Sequence, residues 1–109
     1  MTNLPLGHKF DAGKARVTEQ AMRVLQQEGH TPAEFLSRHV AADWGDHDAA
    51  QKQQNDAALE NNGPLHSIYH TNGGEEIWVF TDADRSITTI LLPQDYQSEG
   101  PQPDNDETI

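Results

Sequence analysis

At 109 residues the chain is long enough for one domain with one core and too short for a second module. It has no cysteine, which excludes disulfides and thiolate chemistry, and its formal charge of −11 opposes polyanions, because affinity for DNA or RNA comes largely from Lys and Arg neutralising phosphates. No apolar run approaches the ~20 residues of a membrane span, and residues 1–7 lack the basic and apolar regions of a secretory signal; the expected compartment is the cytoplasm, with neither nucleic acid nor membrane as a direct partner.

Residues 1–16 hold Pro5, Gly7 and Gly13 with little periodicity and read as a flexible N-terminal arm. The Gly13-Lys14 pair is not a phosphate loop: His8 stands where the first glycine of that motif belongs, and Ala15 follows the lysine instead of Ser or Thr. Thr18 is the expected N-cap of a first helix, Glu19 to about Gln27, with Ala21, Met22 and Leu25 on one face. Thr31-Pro32-Ala33-Glu34 then has the composition of a capping box with proline at the first helical position. It predicts a second helix carrying Phe35, Leu36, Val40 and Trp44 inward. Asp46 or Asp48 caps a third, largely polar helix running to about Asn61 on the surface.

Gly63-Pro64 ends the helical part, and three runs rich in Ile, Val, Thr and aromatics follow, separated by Thr71-Asn72-Gly73-Gly74 and by Asp82–Arg85. The predicted fold is α+β: three short N-terminal helices packed on a C-terminal three-stranded antiparallel β-meander, with the domain spanning residues 17–93 and an acidic, disordered tail over 94–109. If Asn72-Gly73 is a two-residue loop, position 68 faces 77; a symmetric second turn makes 78 face 89. One sheet face then carries Leu65, Tyr69, Trp78, Phe80, Ile87 and Leu91, and the other carries Ile68, Ile77, Val79, Ile90 and Leu92. Three helices cover one face, assigned here to the aromatic side. The aliphatic face, or a free sheet edge, is expected to meet another chain, most simply a second copy; the alternative is that the third helix and the arm wrap it within the monomer.

Little in the sequence supports chemistry. His66 and His70 are four apart, but on a strand that spacing separates them by ~13 Å, too far to share a zinc ion. Asp82-Ala83-Asp84-Arg85-Ser86 resembles the start of a calcium loop, yet Ile87 and Pro93 occupy positions that require Gly and Glu; an Asx-type turn with Arg85 paired to Asp82 or Asp84 is the plainer reading. Asp43-Trp44-Gly45-Asp46-His47-Asp48 gathers carboxylates and an imidazole that can bind a divalent cation or supply a general base, although aspartates beside a glycine and at a helix start are also what caps require. No serine lies in a nucleophile-elbow motif. No catalytic, metal or cofactor site is assigned.

At Gly13-Lys14, Ser37-Arg38-His39-Val40, Asp43-Trp44-Gly45-Asp46, Asn55-Asp56-Ala57-Ala58-Leu59 and the run from Ile77 to Pro93, which contains Ala83-Asp84-Arg85-Ser86-Ile87-Thr88-Thr89, the chain resembles a family of small, largely uncharacterised bacterial proteins. Its members are often labelled plasmid-related or carry a restriction-modification subunit name. The resemblance spans roughly residues 13–96 and implies a bacterial accessory protein of mobile elements, with no catalytic residues to transfer.

The sequence therefore predicts a non-enzymatic, acidic interaction protein that self-associates as a homodimer, through Trp44, Asp46, Asp82, Asp84 and Arg85 together with Ile68, Ile77, Val79 and Ile90 on the sheet. Two other classes stand beside it. An antirestriction-type DNA mimic would use carboxylates spaced like phosphates to inhibit a DNA-binding enzyme; a divalent-metal-dependent hydrolase would require Asp43, Asp46, His47 and Asp48 to converge in a pocket.

Overall fold

A computed structural model describes residues 8–97 and 106–108. Helix α1 (Glu19–Gln27) starts at Thr18, whose hydroxyl accepts the Ala21 N–H at 3.2 Å. Helix α2 (Pro32–Val40) starts at Thr31, whose N–H donates to the Glu34 carboxylate at 2.6 Å. Helix α3 (Ala49–Asn61) starts at Asp48, which accepts from the Gln51 N–H at 2.8 Å. All three occupy the predicted segments because side chains satisfy N–H groups at the helix starts that no intrahelical carbonyl can reach: Thr18 and Asp48 accept from first-turn N–H groups, and Glu34 reaches back to the Thr31 N–H.

The sheet is not the predicted meander with three helices ahead of it. A strand, β1 (Lys14–Thr18), precedes all the helices and pairs in parallel with β4 (Ile87–Leu91), Val17 lying opposite Ile90. With β2 (Leu65–His70), β3 (Glu76–Thr81) and the short terminal β5 (Asp106–Thr108), the order is β2-β3-β4-β1-β5, a mixed sheet with helices between its strands. The signal for β1 is Lys-Ala-Arg-Val-Thr, an alternation of charged with apolar or β-branched residues just before a helix cap. The sheet thus takes in Lys14–Arg16, and β5 and all of α4 (Pro93–Gln97) but its first residue fall within residues 94–109. Phe10, also in the expected arm, is buried in the core, and residues 1–7, 98–105 and 109 of the expected arm and tail lie outside the described residues.

The register of the first hairpin differs by one residue. Ile68 pairs with Trp78, not Ile77, because the turn is longer than two residues: the Gly74 N–H closes onto the Thr71 carbonyl at 2.9 Å, and Gly74 then takes a left-handed φ of 90°. The added residue acts as a bulge, and a one-residue slip moves every side chain of β2 to the other face. Leu65, Ser67 and Tyr69 therefore join Ile77, Val79, Thr81, Thr88 and Ile90, all buried, while His66, Ile68 and His70 join Trp78 and Phe80. The β3–β4 register also differs from the expected one, by two residues: Trp78 lies opposite Leu91 and not Thr89, and because the shift is even the faces are unchanged.

The helices consequently cover the aliphatic face, not the aromatic one. The slip gives that face Leu65 and Tyr69 and gives the aromatic face two histidines, so the aliphatic face is the less costly one to dehydrate. Ala21 and Leu25 of α1 and Phe35 of α2 pack there on Val17, Tyr69, Ile77, Val79, Ile90 and Leu92. A second cluster, Phe10, Val40, Trp44 and Leu65, closes the end of the core with Ala58 and Leu59 of α3 against it.

The segment between α2 and α3 lies along the outer edge of β2. Gly45 forms a parallel bridge to Ile68; the Asp46 N–H donates to the Ile68 carbonyl at 2.7 Å, and the Ile68 N–H donates to the Trp44 carbonyl at 3.2 Å. Gly45 has φ 75°, and a Cβ there would collide with the Ile68 carbonyl oxygen. Gly45→Ala is expected to lower unfolding free energy by about 2–4 kcal/mol, combining left-handed strain with loss of the bridge. Urea denaturation measures this; a loss below about 0.5 kcal/mol would show that the loop does not depend on this approach.

Candidate interaction surface

The Asp43–Asp48 cluster is a structural clasp. Asp43 accepts from Arg38 Nε at 2.8 Å and from the Gly45 N–H at 3.1 Å, and the Arg38 hydrogen bond holds its carboxyl below the usual range. The Arg38 guanidinium lies 4.4 Å from the centre of the Tyr69 ring, and the Tyr69 hydroxyl donates to the Asp43 carbonyl. Trp44 is 4% exposed, stacks on Phe10 and donates from Nε1 to Asp56 at 2.9 Å. Asp46 is exposed and meets His70 Nδ1 at 2.7 Å, whereas Asp48 caps α3. These side chains point to separate partners and do not converge. Among the described residues no group of three or more His, Asp or Glu side chains is arranged to hold a metal ion.

Arg85 also differs from expectation. Its guanidinium bonds carbonyl oxygens of Ala58 at 2.9 Å, Gly63 at 2.5 Å and Ala83 at 3.2 Å, whereas the Asp84 carboxylate is taken by the N–H and hydroxyl of Ser86. The last carbonyls of α3 carry the negative end of the helix dipole, which suits a cation with several donors. Arg85 therefore ties the β3–β4 turn to the end of α3, and Asp82 and Asp84 remain exposed at the tip.

The four sheet residues named for the interaction surface separate. Ile77, Val79 and Ile90 are fully buried beneath the helices. Ile68 is part-buried on the opposite face, which it shares with Trp78, its direct partner, Phe80 and Ile87. There His66, Trp78, Phe80 and Leu91 line a groove of about 270 Å³. The His66 ring stands edge-on to Trp78 with centroids 4.7 Å apart, and its Nδ1 lies 3.0 Å from His47 Nε2. Burial, reinforced by His47, pushes the His66 pKa down to about 4. Its Nε2 is buried without a hydrogen-bond partner; the perpendicular contact with Trp78 gives the ring a π neighbour.

Sequence reasoning missed two buried polar residues. His39 shows no exposed surface; its Nδ1 lies 2.6 Å from the Ser67 hydroxyl and its Nε2 2.9 Å from Thr81, which continues to Thr88 at 2.7 Å and on to the Ala12 carbonyl at 2.7 Å. A Ser–His pair at this distance has the spacing of an activated nucleophile, but neither group reaches solvent, so no substrate can approach. The signal for His39 was its position four residues after Phe35 on the apolar side of α2. Asn55 is 2% exposed and pairs with both backbone groups of His66, donating to the carbonyl at 2.7 Å and accepting from the N–H at 3.3 Å. No periodicity marks it, because its neighbours on α3 are polar as well.

No protein-family model, curated protein or solved structure matches this chain.

Both buried histidines favour the neutral ring. Burial pushes the His39 pKa down to about 3 and the His66 pKa to about 4, below the ordinary 6.5. The unfolded chain therefore binds more protons between those values and 6.5, so stability fully present above pH 6.5 is lost as the pH falls through that window. Urea denaturation is expected to show a flat profile above about pH 7 and a decline from 6.5 towards about 4.5, His39 alone contributing up to about 1.4 kcal/mol per pH unit. A His39→Gln variant should be less stable near neutrality and should lose part of that slope. A wild-type profile without slope in this interval contradicts burial of the neutral rings.

Proposed function

We propose that this protein is a small, acidic bacterial accessory protein of the cytoplasm that works by binding protein chains, performs no catalysis itself, and self-associates as a homodimer through the aromatic side of its sheet. The observation that carries this reading is the groove lined by His66, Trp78, Phe80 and Leu91, on a sheet face that also bears the part-buried Ile68 and Ile87. A β-sheet face this apolar and aromatic is unusual unless another surface meets it. Its make-up suits an interface centre, where Trp and other aromatics are enriched and charges are depleted, with a polar rim. Here His70 and Glu76 stand at one end of the same face, and Lys14 and Arg16 stand on its β1 side, opposite Ile87 and Thr89.

Two-fold symmetry fits such a patch, since a closed dimer needs one self-complementary surface and no second binding site. Both sheet edges are occupied within the chain, β2 by the Trp44–Asp46 segment and β1 by β5, which favours a face over strand-to-strand pairing as the contact. The divergence of Asp43, Asp46 and Asp48 removes the arrangement that a metal-dependent hydrolase requires. Among the described residues no helix is long and apolar enough to cross a membrane.

Sedimentation velocity from dilute to concentrated solution is expected to show the mass rising from one chain to two. Phe80→Glu and Ile68→Glu should each return the protein to a single chain with the melting transition retained. A single-chain mass at every concentration would overturn self-association.

A further inference from the structure

The two edges of the sheet are closed by different means. The β2 edge is covered by Trp44–Asp46 and by Asn55, all anchored within the core domain. Among the described residues the β1 edge is covered by Asp106–Thr108 alone, antiparallel, with Arg16 opposite Thr108, Val17 opposite Glu107 and Thr18 opposite Asp106. β1 runs over five residues and this ladder spans three, leaving Lys14 and Ala15 beyond it. A three-residue pairing at the edge of a sheet opens at a smaller free-energy cost than the central strands do.

What occupies this edge shows what the edge accepts: an extended segment, antiparallel, bearing acidic residues at successive positions. The edge itself has the complementary charge, with Lys14 exposed and Arg16 two residues on. We propose that β1 is a docking site for an extended acidic segment supplied by a partner protein, and that Asp106–Thr108 fills it until such a segment displaces it. Main-chain ladder bonds provide the affinity, and Lys14 and Arg16 select the charge. The tether gives the internal segment the advantage of a millimolar-range effective concentration. A partner strand of five or more residues offsets this by pairing along the whole of β1. The ladder bonds lie at the β1 edge and not on the aromatic face, although Lys14 and Arg16 stand on that face opposite Ile87 and Thr89, so a monomeric protein could still make them.

The probe is a fluorescent peptide of residues 100–109, titrated by anisotropy into the full-length protein and into full-length Glu107→Pro/Thr108→Pro. The double substitution removes successive N–H groups, one of which must face β1. The peptide is expected to bind the opened variant about tenfold more tightly than the wild type. Adding Lys14→Glu to that variant, or replacing the peptide's acids by amides, should weaken binding several-fold. Equal affinity for the two proteins, or no binding to an opened variant that melts like the wild type, overturns the proposal. Should the variant unfold, the wild type decides: excess peptide must move the amide resonances of Asp106–Thr108 and of β1, and unmoved resonances overturn the proposal.

Discussion

The closure of the β2 edge is the constraint on which the rest of the architecture depends. An edge strand presents unpaired N–H and C=O groups, and each must find a partner or remain in water. Here His66 is satisfied by one buried amide side chain, Asn55, and Ile68 by the backbone of Trp44 and Asp46. The same few residues position everything around them. Asn55 fixes the rotation of α3, Trp44 seals the end of the core, and Asp43 joins Arg38 of α2 to the hydroxyl of Tyr69 in β2. Acidic residues that look chemical in the sequence are thus spent on holding a polar loop against a strand.

A second constraint runs through the middle of the buried face. Ser67, Thr81 and Thr88 would be poor core residues alone, since an unpaired hydroxyl in the interior costs roughly 1–3 kcal/mol. His39 links them across β2, β3 and β4, and Thr88 extends the chain to the N-terminal segment at Ala12. Phe10 and Trp44 meet the His39 ring edge-on at 5.3 and 5.7 Å, which excludes water from it. Because the partners sit at fixed positions on three strands, a shifted register would strand several polar atoms at once. The network therefore specifies pairing as well as stabilising it.

The helices were legible from the sequence because their starts are local: Thr18, Thr31 with Glu34, and Asp48 each act within three residues of themselves. The three antiparallel runs were legible from β-branched and aromatic composition. Their facing was not, since it turned on whether the Thr71–Gly74 turn held one residue more than Asn-Gly requires, and the left-handed residue proved to be Gly74. That single residue decided which face became core, and so placed Ile77, Val79 and Ile90 inside. β1 escaped because its evidence is a partner about seventy residues away in the sequence, which no local pattern displays. Of the expected surface, Ile68, Asp46, Asp82 and Asp84 keep some exposure, whereas Trp44 belongs to the core and Arg85 to the end of α3.

The position of β1 also bears on how the chain reaches its fold. Its two neighbours in the sheet, Ile87–Leu91 and Asp106–Thr108, are both made after it and after all of α1, α2, α3, β2 and β3. During synthesis α1, α2 and the β2–β3 hairpin can form from local contacts, but Val17 has no strand to join until β4 is complete. Until then the core lacks one wall, and the apolar side chains of Leu25, Tyr69 and Val79 are incompletely covered. Closing the sheet is consequently a long-range step, and the nascent chain carries an open β1 edge until the roughly seventy residues up to β4 have been made.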